Sequence, residues 1–207
     1  DQNDGVNEII RELDHETLQN VPIVTMRLEA LGNESVTQVL ADTSRTARRW
    51  AIQREYRSTY RDSLIDTETL SQGEFIWEHE LNTNNLANDY VPITVSSDLM
   101  DDLSVSLGDT LRWNVQGIVI SSTIVGIREV NWEEPQPNFF VVFPNGVLNY
   151  APQFFATTVR TSSRDEALIL QQEIVNRYPN ISALDIGLLI ESFRDFLNQI
   201  TFVIQFI

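Results

Sequence analysis

Hydrophobic residues recur along this chain in two rhythms. Between residues 6 and 19, Val6, Ile9, Ile10, Leu13 and Leu18 share a helical spacing on an otherwise polar segment, which predicts a helix broken by Pro22. From Val24 the period drops to two. Val24, Met26, Leu28 and Ala30 face one way and Thr25, Arg27 and Glu29 the other, the pattern of a half-buried strand. Asn33 is the expected N-cap of a short helix with Val36, Val39 and Leu40 inward. A second extended run near 47–57 would complete a β-α-β unit. Phe154–Arg160 reads as another strand. Ser163 and Glu166 then form an S-x-x-E capping box. The helix behind it would bury Ala167, Leu170, Ile174 and Tyr178 and stop at Pro179, with Ile181–Ile186 as the closing strand. Two such halves predict an α+β fold, a ferredoxin-like α/β subdomain formed from both ends of the chain.

Between the halves the runs are short and β-rich: Tyr90–Val95, Thr110–Val115, Ile118–Ile127 and Phe139–Phe143. Ser97 is the expected cap of a brief helix around Leu99–Leu103, ended by Leu107-Gly108-Asp109. Gly73, Gly108, Gly117, Gly126 and Pro135-Gln136-Pro137 mark turns. Asn82–Asn85 and Asn88 read as a loose polar loop. This predicts a small inserted β-rich subdomain. The divisions expected are 1–67 and 149–186 for the two halves, 68–148 for the insert and 187–207 for a C-terminal helix. In that tail, Leu189, Phe193, Phe196, Ile200, Val203 and Ile207 recur at steps of three and four, opposite Glu191, Arg194, Asp195, Asn198 and Gln199. After Gln199 the polar face almost vanishes. As a helix the segment would be ~33 Å long at ~1.5 Å per residue. A buried core helix and a helix continuing into a bilayer both fit this pattern. Left free, the apolar face of this helix would pair two chains to hide Phe196, Ile200 and Val203, a tendency that deleting residues 198–207 would weaken.

Charge narrows the partners. The formal net charge is −16, and the 14 cations are all Arg. Such a surface repels phosphate backbones, so no nucleic acid is expected. With no Lys and no Cys, lysine nucleophiles, thiolate metal sites and disulfides are excluded. The N-terminus Asp1-Gln2-Asn3-Asp4-Gly5 lacks a leader pattern. No run of roughly 18 apolar residues is present, so these residues are not expected to span a membrane themselves.

Candidate chemistry is thin. His15 and His79 are the only histidines, and neither lies in a G-x-S-x-G or H-E-x-x-H context. In Glu78-His79-Glu80 strand alternation would turn His79 away from its neighbours, at a solvated edge. Asp101-Asp102 and Glu133-Glu134 are paired carboxylates of the kind glycosidases use, but thirty acids make adjacent pairs commonplace. No phosphate-cradling glycine motif occurs. Arg45, Arg48, Arg49, Arg54, Arg57 and Arg61 interleave with Trp50, Tyr56 and Tyr60. Single-stranded nucleic-acid sites use such mixing, but in so acidic a chain the run reads as an intramolecular Arg–carboxylate network or a partner-docking face. Asn33-Glu34-Ser35 and Asn180-Ile181-Ser182 match glycosylation sequons. No catalytic, cofactor-binding or metal residue is assigned, and no enzyme is expected.

An ordered series of blocks points further. It comprises Arg54-Glu55-Tyr56-Arg57-Ser58-Thr59-Tyr60-Arg61-Asp62-Ser63-Leu64, Leu107-Gly108-Asp109-Thr110-Leu111, Val130-Asn131-Trp132, Pro137-Asn138-Phe139-Phe140-Val141-Val142-Phe143-Pro144-Asn145-Gly146-Val147-Leu148, and Arg177-Tyr178-Pro179-Asn180-Ile181-Ser182-Ala183-Leu184-Asp185-Ile186. From about residue 20 onward the chain resembles the large extracytoplasmic loop of YbbP-type ABC-transporter permeases in the FtsX/MacB superfamily. The resemblance implies a porter-like part made from both ends, a β-rich insert, and flanking transmembrane helices in a bacterial inner membrane, with this domain on the periplasmic side. It also implies a cytoplasmic ATPase subunit, a second permease copy, and mechanotransmission acting on a hydrophobic or lipid-linked compound, with an esterase or lysophospholipase as a further partner. It supplies no catalytic residue. The polar stretch Leu81–Asp89 and the missing lysine depart from the pattern. A soluble lipid- or peptide-binding module and a hydrolase built on His79 or His15 are the alternatives.

Overall fold

A computed structural model describes residues 2–82, 89–188 and 190. Its elements are α1 (Gln2–Glu12), β1 (Glu16–Leu31), β2 (Glu34–Ser35), α2 (Val36–Ala41), α3 (Arg49–Gln53), β3 (Glu55–Tyr60), β4 (Glu68–Gly73), β5 (Tyr90–Ser96), α4 (Ser97–Leu103), β6 (Thr110–Val115), β7 (Ile118–Val130), β8 (Val141–Phe143), β9 (Phe154–Arg160) and α5 (Arg164–Arg177). They form two compact units, Asp1–Gln19 with Thr157–Ile207, and Asn20–Ala156.

In the unit of the two ends, the expected stripe of α1 is buried at Val6, Ile9 and Ile10. It packs with Leu170 and Ile174 of α5, and Leu13, Val159, Tyr178 and Ile181 lie against them. Ser163 caps α5 by accepting from the Glu166 N–H at 3.3 Å. The Glu166 carboxylate accepts from Ser162 N–H at 2.9 Å, one residue before the cap itself. The chain ends are tied by paired amides of Gln2 and Asn180 and by ion pairs Arg177–Glu12 at 3.0 Å and Arg160–Glu16 at 2.8 Å. The expected closing strand at Ile181–Ile186 does not form. A side chain takes a backbone group a ladder would need, Gln171 Nε2 donating to the Ala183 carbonyl, and Asp185 Oδ1 caps a helical turn at 186–188 by accepting from Leu188 N–H. The C-terminal helix expected over 187–207 lies almost wholly outside the described residues, as does most of the polar loop at 82–88.

The unit Asn20–Ala156 is a closed ring of six strands. β1 pairs antiparallel with β3, β3 runs parallel to β8, and β8 is antiparallel to β5. β5 runs parallel to β7, β7 is antiparallel to β6, and β6 is antiparallel to β1. β2 adds to β1 and β4 to β7. The alternation expected of β1 is present, with Val24, Met26, Leu28 and Ala30 buried and Arg27 and Glu29 exposed. Val24, Met26 and Leu28 meet Tyr56, Ile93, Leu111, Trp113, Ile124 and Phe143 in one cluster. A ring this small is filled by its own side chains. Earlier in β1, Val21 and Ile23 carry the opposite phase and pack instead with Phe139 and Val142.

β1 and β3 were expected as neighbours in a β-α-β unit; they are antiparallel. α2 and α3 pack on each other, so the connection folds into a helical hairpin that turns the chain back. The extended run expected from 47 begins only at Glu55, because Ala51 and Ile52 bury one face of α3. Since the ring needs both β1 and β3, the units divide near residues 20 and 156, not at the expected 67 and 148. Two caps also move. Ser35, not Asn33, caps α2, in a reciprocal box with Gln38. Ser96, not Ser97, caps α4. The β6–β7 hairpin turns through Gln116 and Gly117, both at positive φ, the two-residue geometry that matches strand twist.

Candidate functional site

The most unusual chemistry is a buried charge cluster. Arg128 falls in the inward phase of β7 with Ile120, Ser122 and Ile124 and is fully buried. A lone buried guanidinium would be prohibitive, so its donors must be matched. Nη1 meets the equally buried Glu68 carboxylate of β4. Nε donates to Thr94 Oγ1 of β5 at 3.0 Å, and Nη2 to the Phe139 carbonyl at 2.9 Å. Arg61, just past β3, takes the other Glu68 oxygen. Burial pushes Arg128 down to about 10, against the pull of the Glu68 charge and with some repulsion from Arg61, so it stays ionised at neutral pH. The Nε and Nη1 of Arg61 are buried without a partner among the described residues. Nothing here resembles an acid–base pair or a nucleophile. The cluster pins five segments of the unit together.

The second feature is an open groove of about 420 Å³ lined by Arg48, Trp50, Asp98, Asp101, Asp102, Trp132 and Phe140. α3 presents Trp50, and the α4 segment presents the three acids. Trp50 is 45% exposed and Trp132 40%. Trp132 stacks on Phe140 with ring centroids 4.7 Å apart and donates its Nε1–H to Asp98 Oδ2 at 2.7 Å. Asp102 is held by Arg48 at 2.9 Å. Arg54 lies over the rings of Trp50, Tyr56 and Phe140 at 4.8–5.3 Å.

The other residues singled out in the sequence separate into structural roles. Arg45 pairs with Glu34, Arg48 with Asp102 and Arg61 with Glu68, and Arg49 donates to the Leu40 carbonyl at 3.2 Å. The expected intramolecular network therefore forms, and Arg57 stands exposed beside it. His79 is not at a solvated edge. Its Nε2 meets Asp89 Oδ1 at 3.0 Å, and that carboxylate also accepts from Asn82 N–H. No hydroxyl is hydrogen-bonded to the ring among the described residues. His15 is half-buried in the unit of the two ends and donates its N–H to the Ile10 carbonyl. Asp101 and Asp102 diverge, one exposed and one buried; Glu133 and Glu134 are both exposed. No group of acids and histidines among the described residues is arranged to hold a metal. None of their helices is long and apolar enough to cross a membrane.

Sequence reasoning missed Glu68 and Arg128. The available signal was a charge in the inward phase of a strand.

Comparison with known proteins points to one class, the transporter permeases. The chain is 26% identical over 170 residues, 82% of its length, to the uncharacterized ABC transporter permease YbbP of Escherichia coli (strain K12). The match spans only 18% of that relative's length. No family model matches the chain. Among solved structures, a domain of a candidate permease protein from Porphyromonas gingivalis aligns over 87% of this chain and 70% of its own, at 13% identity. Its TM-score of 0.38 is too low to carry the fold across.

Proposed function

We propose that this chain is part of the extracytoplasmic domain of an ABC-transporter permease subunit of the YbbP type, within the FtsX/MacB superfamily. The observation that carries this reading is the 26% identity to the YbbP permease over 82% of the chain. The structural roles of the motif blocks support it. In the first block, Tyr56 is buried in the core and Arg61 binds Glu68. In the fourth, Asn138 accepts from Thr67 Oγ1, while Val141, Phe143, Val147 and Leu148 are core.

On this reading the unit of the two ends is the porter-like part, and Asn20–Ala156 is the insert. ATP hydrolysis belongs to a cytoplasmic ATPase subunit acting through membrane helices, with a second permease copy across the membrane dimer. The domain lies on the periplasmic side and is not itself an enzyme. The cargo is hydrophobic or lipid-linked, and an esterase or lysophospholipase is the candidate outside partner. The test is the gene and its topology. Apolar segments of about 20 residues should flank these residues, and an alkaline phosphatase fused to the domain in the full-length permease should be active. Hydrophilic flanks, or a reporter active only in its cytoplasmic form, would sink the reading.

A further inference from the structure

The groove walled by Trp50, Trp132 and Phe140 lies outside the barrel's buried core, which only Phe140 touches, and its chemistry is specific. Three carboxylates line it against Arg48, with the Arg54 guanidinium over its Trp50 and Phe140 rings. Asp102 is neutralised by Arg48, and Asp98 accepts the indole N–H of Trp132. The exposed Asp101 carboxylate has no side-chain partner among the described residues. Acids beside aromatic rings hold a cation twice over, by charge and by the negative face of the ring. The same rings already accept one: the Arg54 guanidinium carbon lies 4.8 Å from the Phe140 centroid and 5.2 Å from that of Trp50.

We propose that this groove docks an arginine or lysine side chain from a basic segment of a partner protein. Three observations favour that occupant. The uncompensated charge in the groove is negative, and the net charge of −16 steers cations toward the whole surface. The groove is open, whereas sites for free small molecules enclose most of their ligand. Exposed tryptophans walling a charged depression are the composition of protein-binding hot spots. The inference does not depend on the permease reading; a basic partner is equally compatible with a binding module that has no transporter.

The experiment titrates the 207-residue protein with an acetylated, amidated Gly-Arg-Gly-Arg-Gly peptide, following the indole N–H signals of its four tryptophans by NMR. Trp50 and Trp132 should shift, while Trp77 and the buried Trp113 should not. Asp101→Asn should weaken binding about tenfold, as expected for one lost charge-assisted contact. Asp98→Asn, which keeps an acceptor for Trp132, should weaken it too. Glu29→Gln, at an exposed acid elsewhere on the unit, should not. The citrulline form of the peptide should not bind. Equal weakening by Glu29→Gln, or shifts spread over all four indoles, would reduce the effect to general attraction and overturn the site. Tighter binding of tetramethylammonium than of the peptide would overturn the protein-borne occupant.

Discussion

Replacing Glu68 by Gln leaves two guanidiniums, Arg61 and Arg128, buried around a neutral amide. Breaking a buried pair by removing one partner costs about 3–5 kcal/mol, and that loss is expected in urea unfolding of Glu68→Gln. Arg61→Met should cost clearly less. It removes a side chain that already has two buried N–H groups unmatched, and Glu68 keeps Arg128. Equal losses would mean that the cluster is not organised around Glu68. Tyr56 gives a pH-dependent counterpart. Its buried phenol donates to the Ala51 carbonyl, and desolvation raises its pKa well above the ordinary value of 10. An acid held protonated by the fold contributes stability that is complete below its unfolded pKa and is lost as pH rises past it. Stability should therefore fall above about pH 10, and Tyr56→Phe should flatten that fall. Arg128 acts in the opposite sense over the same window, because its depressed value means that the unfolded chain binds more protons there. That term is common to both proteins, so the difference between their unfolding midpoints at pH 8 and pH 11 reports Tyr56 alone. Of these residues the sequence showed only that Tyr56 and Arg61 sit in a motif block. Glu68 and Arg128 lie 60 positions apart, and periodicity gives a face but never a partner.

At the scale of elements, local rules carried well where the pattern was regular. The cap at Ser163 gave α5 close to its observed limits, but the period-two run from Val24 gave only the second half of β1, which begins at Glu16 inside the expected first helix and runs through Pro22. They failed where a side chain competed for the backbone, as at Ile181–Ile186, or where two cap candidates stood close together, as with Asn33 and Ser35. Gly126 misled for a different reason. It is not a turn but lies inside β7 opposite Gly73, beside the point where the β5–β7 ladder shifts register, and a side chain there would meet the Glu74 carbonyl. Gly146 closes the fourth motif block at φ +94, and a Cβ there would press on the His79 backbone carbonyl. Gly146→Ala should therefore cost at least the ~1–3 kcal/mol of a forced left-handed residue, read as a lower urea midpoint. A change under about 0.5 kcal/mol, the size of an ordinary surface substitution, would show that this turn relaxes freely. α4 supplies the contrasting case. Leu99 and Leu103 are fully buried in the barrel cluster, and Leu103→Ala should cost about 2–5 kcal/mol by cavity formation.

For the whole molecule, the ring of strands was the least legible feature. Its closure rests on two parallel pairings, β3 with β8 and β5 with β7, and each joins segments far apart in sequence. What composition did determine is the long-range field. Thirty acids face fourteen arginines, and part of the positive charge is committed to Glu68, Asp102 and Glu34. The remaining surface repels itself in the folded state more than in the expanded chain. Exposed pairs such as Arg160–Glu16 offset little of this, because solvated ion pairs contribute about 0–1 kcal/mol each. Added NaCl should therefore raise the melting temperature, although it weakens those pairs. The rise should be steepest as the Debye length contracts to ~10 Å near 0.1 M and should level off well before the ~3 Å reached at 1 M. A linear climb through 1 M would instead mark salt exclusion from the surface. A fall would mean that the ion pairs outweigh the net charge. Binding of the basic peptide should weaken over the same salt range, because the field that destabilises the fold is the one that gathers cations to the groove.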